Sequence, residues 1–409
     1  MTRLYPALLF LLVLGFSACE EDMPAVDPPR ELEVPATYSF TRDGQSTVSF
    51  PGQSNRIAMA EALTAAFLDP ANTTTELNAM FRNEGPNGED VAPFADADLN
   101  AADQSVRGKV AASRDYFFAD ATSAAAVRAD FDGWIEAQVG EVFPRWNELA
   151  AAGVPGQVAD GTRARYVNAQ GLEYNQVFAK SLLGALMLDQ TVNNYLSTAV
   201  LDENDNRANN DAGITEDGTA YTTMEHKWDE AYGYVFGASA DPANPLPTLG
   251  DDDAFLNEYL DRVNDDEDYA GIAQDVFDAF KRGRAAIVAG DYAERDAQAD
   301  IIKEKLSIVP AVRAVFYLMR GASVLEADGE ATATFHALSE AHGFLYALQF
   351  TRNPATAAPY LDREGALALQ AALLADGDNG LWDVTPATIR AQATAVADAF
   401  GLSLDEAAE

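Results

Sequence analysis

The sequence predicts an all-α protein: a duplicated helical bundle preceded by a small N-terminal β-hairpin. Three observations predict it. From Ser54 onward the chain is Ala-rich, with apolar residues recurring at helical spacing. Clusters such as Glu84-Gly85-Pro86-Asn87-Gly88 and Asp241-Pro242-Ala243-Asn244-Pro245 punctuate that pattern where loops are needed. The stretch His226–Phe236 is matched by a second, His336–Tyr346, lying 110 residues later.

The elements follow in chain order. Met1-Thr2-Arg3 leads into the 13 residues Leu4–Phe16, apolar but for scattered breaks, and Ser17-Ala18 precede Cys19. A charged start, an apolar core and small residues make a secretory signal, so residues 1–18 are left out of the fold. The only cysteine, directly after Ser17-Ala18, resembles a bacterial lipobox, with Phe16 where Leu is more usual. Cys19 is then the expected lipidation point, and its acyl chains would anchor the protein without a spanning helix. No apolar run in the interior reads as long enough to span a bilayer. Glu20-Glu21-Asp22 directly after Cys19 resemble the acidic signal that sends lipoproteins of Bacteroidota to the outer face of the outer membrane, and with Pro24, Pro28, Pro29 and Pro35 they make residues 19–35 an acidic, stiff tether. Residues 36–53 are expected as the hairpin, because Thr37–Phe50 sets β-formers on both sides of Asp43-Gly44.

Ser54 can cap a first helix running through Ile57, Leu63 and Phe67. Together with 54–69, helices are expected at 72–84, 98–118, 122–150, 164–200, 218–237, 251–262, 266–289, 292–325, 329–350, 361–376 and 385–401. One helical body would thus cover residues 54–405. Pro144 and Pro310 should kink or interrupt the helices they fall in. Asp202–Asp211 is rich in oxygen ligands at alternate positions, as in a calcium loop. However, Arg207 stands where such a loop needs Gly, and Gly213 where it needs Glu, so a polar interhelix loop is expected.

Composition narrows the function. The 409 residues hold 65 Asp plus Glu against 27 Lys plus Arg, a net charge of −38. That charge repels a phosphate backbone and excludes nucleic acid as a partner. One cysteine cannot close an internal disulfide or build a Cys-ligated cluster. There are three histidines, and two of them open the repeat.

Each copy of the repeat reads His-x3-Glu-Ala-x-Gly, followed by three apolar residues. The first copy gives His226, Glu230 and Gly233; the second gives His336, Glu340 and Gly343. Both follow an Asp-Gly pair, Asp217-Gly218 and Asp328-Gly329. On a helix the Glu lies about 40° from the His and the Gly about 20° to its other side, so the three form one stripe. Gly in that stripe lets a neighbouring helix or a ligand approach the backbone closely. Two such helices related by a pseudo-twofold could bring His226, Glu230, His336 and Glu340 together as a metal site, since inward N and O ligands on facing helices are how bundle proteins hold iron. A His bonded to a Glu one turn away can equally be a structural brace, or a catalytic pair. The residues alone leave these alternatives open. Glu225, Asp229 and His342 are secondary candidates; His342 has Tyr232 as its counterpart and stands outside the repeated pattern.

A lipidation signal, an all-α body, a duplication and one His/acid pair per half resemble the imelysin-like lipoproteins of Bacteroidota, and within them a family of unknown function often found beside imelysins. The resemblance rests on Glu225-His226-Lys-Trp-Asp-Glu230-Ala-Tyr-Gly233-Tyr, on Ser339-Glu340-Ala-His-Gly343-Phe, on Leu348-Gln-Phe-Thr-Arg352-Asn-Pro354 and on the lead Pro35-Ala-Thr-Tyr38-Ser-Phe40. It covers about residues 34 to 405. Imelysins proper fold as two related helical bundles, carry Gly-x-His-x-x-Glu, are associated with iron uptake and have an older label as metallopeptidases. Here Met224 replaces the Gly, Asp229 stands in place of the Glu, and the second copy has Ser339 there. No His-Glu-x-x-His stretch and no cysteine nucleophile support a peptidase.

The resemblance implies a lipoprotein on the outer membrane, facing the cell exterior. Its expected cofactor or cargo is iron, another divalent metal or an iron-bearing ligand, and its expected partner is an outer-membrane uptake receptor. A surface interaction module without metal is the rival expectation, and a metallopeptidase-like enzyme a third.

Overall fold

The computed structural model describes residues 32–409, and within them the protein is all-α apart from two small antiparallel strand pairs. The proposed lipidation site, Cys19, and most of the tether lie outside the described residues. The expected hairpin is present. Strand β1 (Thr41–Arg42) pairs with β2 (Gln45–Ser46) across Asp43 and Gly44, both with positive φ (52° and 79°). That backbone matches the twist of a tight hairpin, which is why Asp-Gly signals one.

Helices α1 (Pro51–Ala66), α2 (Thr74–Arg82) and α4 (Ala121–Ala137) agree with the apolar periodicity. The expected helix at 98–118 is reduced to α3 (Ala97–Asn100) and a 3₁₀ turn at Arg107–Lys109. The reason is tertiary. The Ala111 and Asp115 N–H groups donate to Ala185 and Asn193 carbonyls, and the Ser113 and Arg114 N–H groups to Asp189 and Asn194 side chains, so residues 111–115 bond to another segment and not to one another as a helix would. After α4 the chain widens into a π turn at Gln138–Val142 and then tightens into a 3₁₀ turn at Phe143–Arg145, where Pro144 stops the helix.

A second hairpin is present that the periodicity does not predict. Strands β3 (Gly156–Asp160) and β4 (Arg163–Val167) pair in register, Asp160 opposite Arg163, and take the first residues of the expected 164–200 helix. Helix α5 (Tyr174–Leu182) follows and continues as a fully buried π-helix, Leu183–Tyr195. The short helix α6 (Thr198–Leu201) leads into the oxygen-rich loop, and α7 (Asn206–Asp211) occupies its second half. There Asp202 is bridged by Arg207 (2.6 Å) and Arg295 (2.6 Å), guanidinium partners where a calcium loop would need the carboxylate free.

Then come α8 (Thr223–Phe236), α9 (Leu256–Asn264), α10 (Ile272–Ala289), α11 (Tyr292–Asp328), α12 (Phe335–Ala347), α13 (Arg363–Leu373) and α14 (Pro386–Phe400). Helix α11 is 37 residues long and runs unbroken through Pro310. Packing against α10, α12 and α14 holds it together where the proline alone would break it. Contrary to the expectation for the interior of the chain, α11 is long and apolar enough to cross a membrane (mean hydropathy 1.4 over its most apolar stretch); 56% of that stretch is buried inside the protein.

The two His helices are also packed alike. A Cβ on Gly233 of α8 would lie 2.5 Å from Phe50 Cβ at the start of α1, and one on Gly343 of α12 would lie 2.6 Å from Lys180 Cβ on α5. On the opposite face, Trp228 sits where a Cβ on Gly283 of α10 would come within 2.1 Å, and Leu338 sits within 2.6 Å of the same point on Gly321 of α11. Each His helix is thus clasped between two helices, α1 and α10 in the first half, α5 and α11 in the second, through a glycine on each side.

Candidate functional site

In the first half, α8 opens with a capping box in which Thr222 and Glu225 satisfy each other's backbone N–H. His226 donates from Nδ1 to the Ser49 carbonyl at 3.0 Å, and Tyr221 stacks on its ring at 4.7 Å. Glu230 accepts from Lys227 Nζ at 2.6 Å and from Gln53 Nε2 at 3.1 Å. Burial raises its carboxyl, but Lys227 and His226 more than reverse that and hold it below its ordinary value.

The secondary candidates Glu225 and Asp229 belong to a buried ion network. Arg284, fully buried, bonds Glu225 and Asp229 at 3.0 Å each. Arg42 reaches Glu225 at 2.9 Å, Tyr38 donates to Asp229 at 2.7 Å, and the Ser49 N–H donates to Asp229 at 3.2 Å. These bonds fasten the N-terminal hairpin to α8.

The second half repeats the geometry with other residues. His336 donates from Nδ1 to Glu173 Oε1 at 3.1 Å, and Ser339 Oγ accepts from the Glu173 N–H at 2.9 Å. Glu173 therefore stands to α12 as Ser49 stands to α8. His336 Nε2 lies 3.7 Å from Glu340 Oε2. Glu340 Oε1 is approached by Lys180 Nζ at 3.6 Å and accepts from Tyr259 Oη at 3.3 Å. Burial lowers the Lys180 ammonium below its ordinary value, with Glu340 pulling the other way.

The two halves differ in what surrounds the pair. His336, Ala337 and Glu340 line a cleft of about 840 Å³, closed on other sides by Glu258, Tyr259 and Arg262 of α9 and by Arg313, Phe316, Tyr317 and Arg320 of α11. The first pair does not reach this cleft. The partners of His226 and Glu230 are Ser49, Tyr221, Gln53 and Lys227; those of His336 and Glu340 are Glu173, Lys180 and Tyr259. The structure thus brings His336 and Glu340 together with Glu173, and places His226 and Glu230 in separate surroundings. Each carboxylate has a lysine ammonium beside it, and among the described residues no three His, Cys, Asp or Glu are grouped to hold a metal ion. His342 is a core residue. Gln370 donates to its Nδ1 at 3.1 Å, and burial pushes the imidazole down to about 4, so it stays neutral.

The α11 wall does not follow from the repeat, although it leaves a signal in the sequence. Arg313, Phe316, Tyr317, Arg320 and Val324 recur at helical spacing on one face, two cations and two rings in a chain short of cations.

Residues 35–403 match a family described as domain of unknown function, DUF4856. No curated protein and no solved structure matches the chain.

Proposed function

The chain belongs to the DUF4856 family, whose description names no activity, and from the site itself we propose a binding protein whose working site is the cleft beside His336 and Glu340. Its cargo is an iron-bearing ligand, carried as a chelate and not as a bare ion shared between the halves. We place the protein on the outer face of the outer membrane, anchored through lipid on Cys19 and passing its cargo to an uptake receptor. The lipobox-like start and the acidic residues after Cys19 support the location. The imelysin-like His/acid repeat supports iron.

One observation carries the choice of site. The position after the repeat histidine is Lys227 in the first half and Ala337 in the second. Lys227 folds back onto Glu230, at 2.6 Å, and lies over that carboxylate. Ala337 is too short to do so, and a cleft opens beside Glu340. Its volume is that of small-molecule sites, roughly 300–1,000 Å³, and far more than one ion needs. The first half became a brace for the hairpin, while the second kept an opening.

The test is to place the first-half residue in the second half. Wild-type and Ala337→Lys proteins are incubated with ferric citrate as the probe, passed through gel filtration and assayed for iron. Wild type should retain about one iron per chain and the variant at least about tenfold less, because a lysine there puts a bulky cation into the mouth of the cleft beside His336 and Glu340. Melting temperatures should agree within about 2 °C, since the position faces the opening and the helix propensities of Ala and Lys are close. Equal retention by both proteins, or none by wild type, would overturn the proposal.

A further inference from the structure

We propose that the cleft recognises its ligand by a carboxylate seated on Arg313, carried on a flat organic body. This rests on the binding function argued above and names the chemistry of the ligand.

Six Lys and Arg residues are buried in the described structure: Lys180, Lys281, Arg284, Arg295, Arg313 and Arg352. Five have a carboxylate partner. Lys180 has Glu340, Lys281 has Asp278, Arg284 has Glu225 and Asp229, Arg295 has Asp202 and Asp296, and Arg352 has Asp115. Arg313, only 7% exposed, has none among the described residues, and its Nε–H donates to nothing. A buried guanidinium without a counter-charge is unfavourable, and it stands out in a chain with 38 surplus negative charges. Glu340, the acid of the repeat that lines the same cleft, is already engaged by Lys180, Tyr259 and His336. Of the other acids that line the cleft, Asp160 pairs with Arg165 and Glu258 with Arg262, and neither Glu409 nor the run Asp265–Glu267 makes an ion pair with Arg313 among the described residues, so the missing partner is one supplied from the cleft itself.

The surroundings select the anion. The guanidinium carbon stacks 4.0 Å from the Phe316 ring centroid and 4.9 Å from that of Tyr317. Stacking covers a face, and with Nε sealed from solvent the edge left for a ligand is that of the two terminal nitrogens, which can grip a carboxylate with two parallel bonds. Glu258, Asp265, Asp266 and Glu267 also line the cleft. They repel a dianion such as phosphate about twice as strongly as a single carboxylate. Tyr259, Phe316 and Tyr317 give the rest of the ligand a surface for a planar body.

The experiment titrates the protein calorimetrically with benzoate, with benzamide as its neutral counterpart of the same shape, and with inorganic phosphate. Benzoate should bind at least about tenfold more tightly than either. Arg313→Met should abolish that preference, and Arg313→Lys should weaken it about tenfold, since an ammonium cannot make the forked bond. The unliganded Arg313→Met protein should melt no lower than wild type, because an apolar side chain replaces an unpaired charge. Equal binding of benzoate and benzamide would overturn the proposal. So would tighter binding of phosphate, or a fall in melting temperature of more than about 5 °C in Arg313→Met, which would make Arg313 a structural group. Iron retention from ferric citrate is measured on the same variants. Benzoate preference without iron loading rejects the iron cargo and keeps the carboxylate site; iron loading without benzoate preference rejects the carboxylate site alone.

Discussion

At the scale of single residues, buried acids set the response of this protein to pH. Asp253 is the clearest case. Its Oδ1 accepts from the Phe255 and Asn257 N–H groups at 2.7 and 3.2 Å, while its Oδ2 is buried without a partner. Burial, with the Glu61 charge adding to it, pushes the carboxyl up to about 7 despite those hydrogen bonds. An unfolded Asp titrates near 3.9. Between those values the folded state holds a proton that the unfolded state has lost, so this group adds stability as pH falls below about 7. From pH 7 to pH 5.5 the gain is about 2 kcal/mol. His342 acts in the opposite sense, because its lowered value makes the folded state resist protonation as pH falls through 6.5 toward 4. The difference between wild type and Asp253→Asn isolates the first effect. Urea unfolding at pH 5.5 and 7.5 should show wild type gaining about 2 kcal/mol more than the variant on acidification. Identical changes in the two proteins would mean that Asp253 does not titrate in this range.

At the scale of elements, the glycines that clasp the His helices make the duplication a mechanical statement. Gly283 faces the indole of Trp228, which is fully buried and tied through Nε1 to the Phe280 carbonyl. Gly343 faces the Val177 carbonyl at 3.0 Å as well as Lys180 Cβ. Neither neighbour can move aside, so Gly283→Ala and Gly343→Ala should each destabilise by about 1–3 kcal/mol. Gly321→Ala should be milder, because it meets the branched end of Leu338. Gly133 in α4 has nothing within 4 Å of an added Cβ, and Gly133→Ala should stabilise by up to about 1 kcal/mol. Chemical unfolding of the four variants tests the order; equal effects at Gly343 and Gly133 would remove the clasp. Elements such as α1, α8 and α14 were legible because their packing agrees with their own periodicity. The stretch 98–118 was not, since its backbone donors at Ala111 and at Ser113–Asp115 go to the distant π-helix. The β3–β4 hairpin was readable at Asp160-Gly161-Thr162, between Val158 and Tyr166, but the helical pattern beyond it took precedence. The candidate site was half legible. His336 and Glu340 came from the repeat, whereas Glu173 and Arg313 reach the site only through folding, and no spacing in the chain links them to it.

For the whole molecule, the question is what a charge of −38 does to a fold that uses its cations so fully. Ion pairs such as Arg145–Glu148 and Arg390–Glu326 lie at the surface and contribute about 0–1 kcal/mol each. They weaken as salt is added. The surplus carboxylates, 65 acids against 27 bases, repel one another across the surface, and salt weakens that as well. The two effects have opposite signs, and numbers decide between them. Even with every cation paired, 38 negative charges remain. Their repulsion extends over distances that a Debye length of about 10 Å at 0.1 M cuts off. Repulsion therefore outweighs the pairs. The melting temperature should rise by several degrees between about 0.01 and 0.3 M sodium chloride at pH 7.5. Tetramethylammonium chloride should give the same rise, because screening depends on ionic strength and not on the identity of the cation. A rise with sodium alone would locate a bound cation. A fall with both salts would show that the surface pairs outweigh the repulsion of the whole, since the buried arginine network between the hairpin and α8 is screened little by salt.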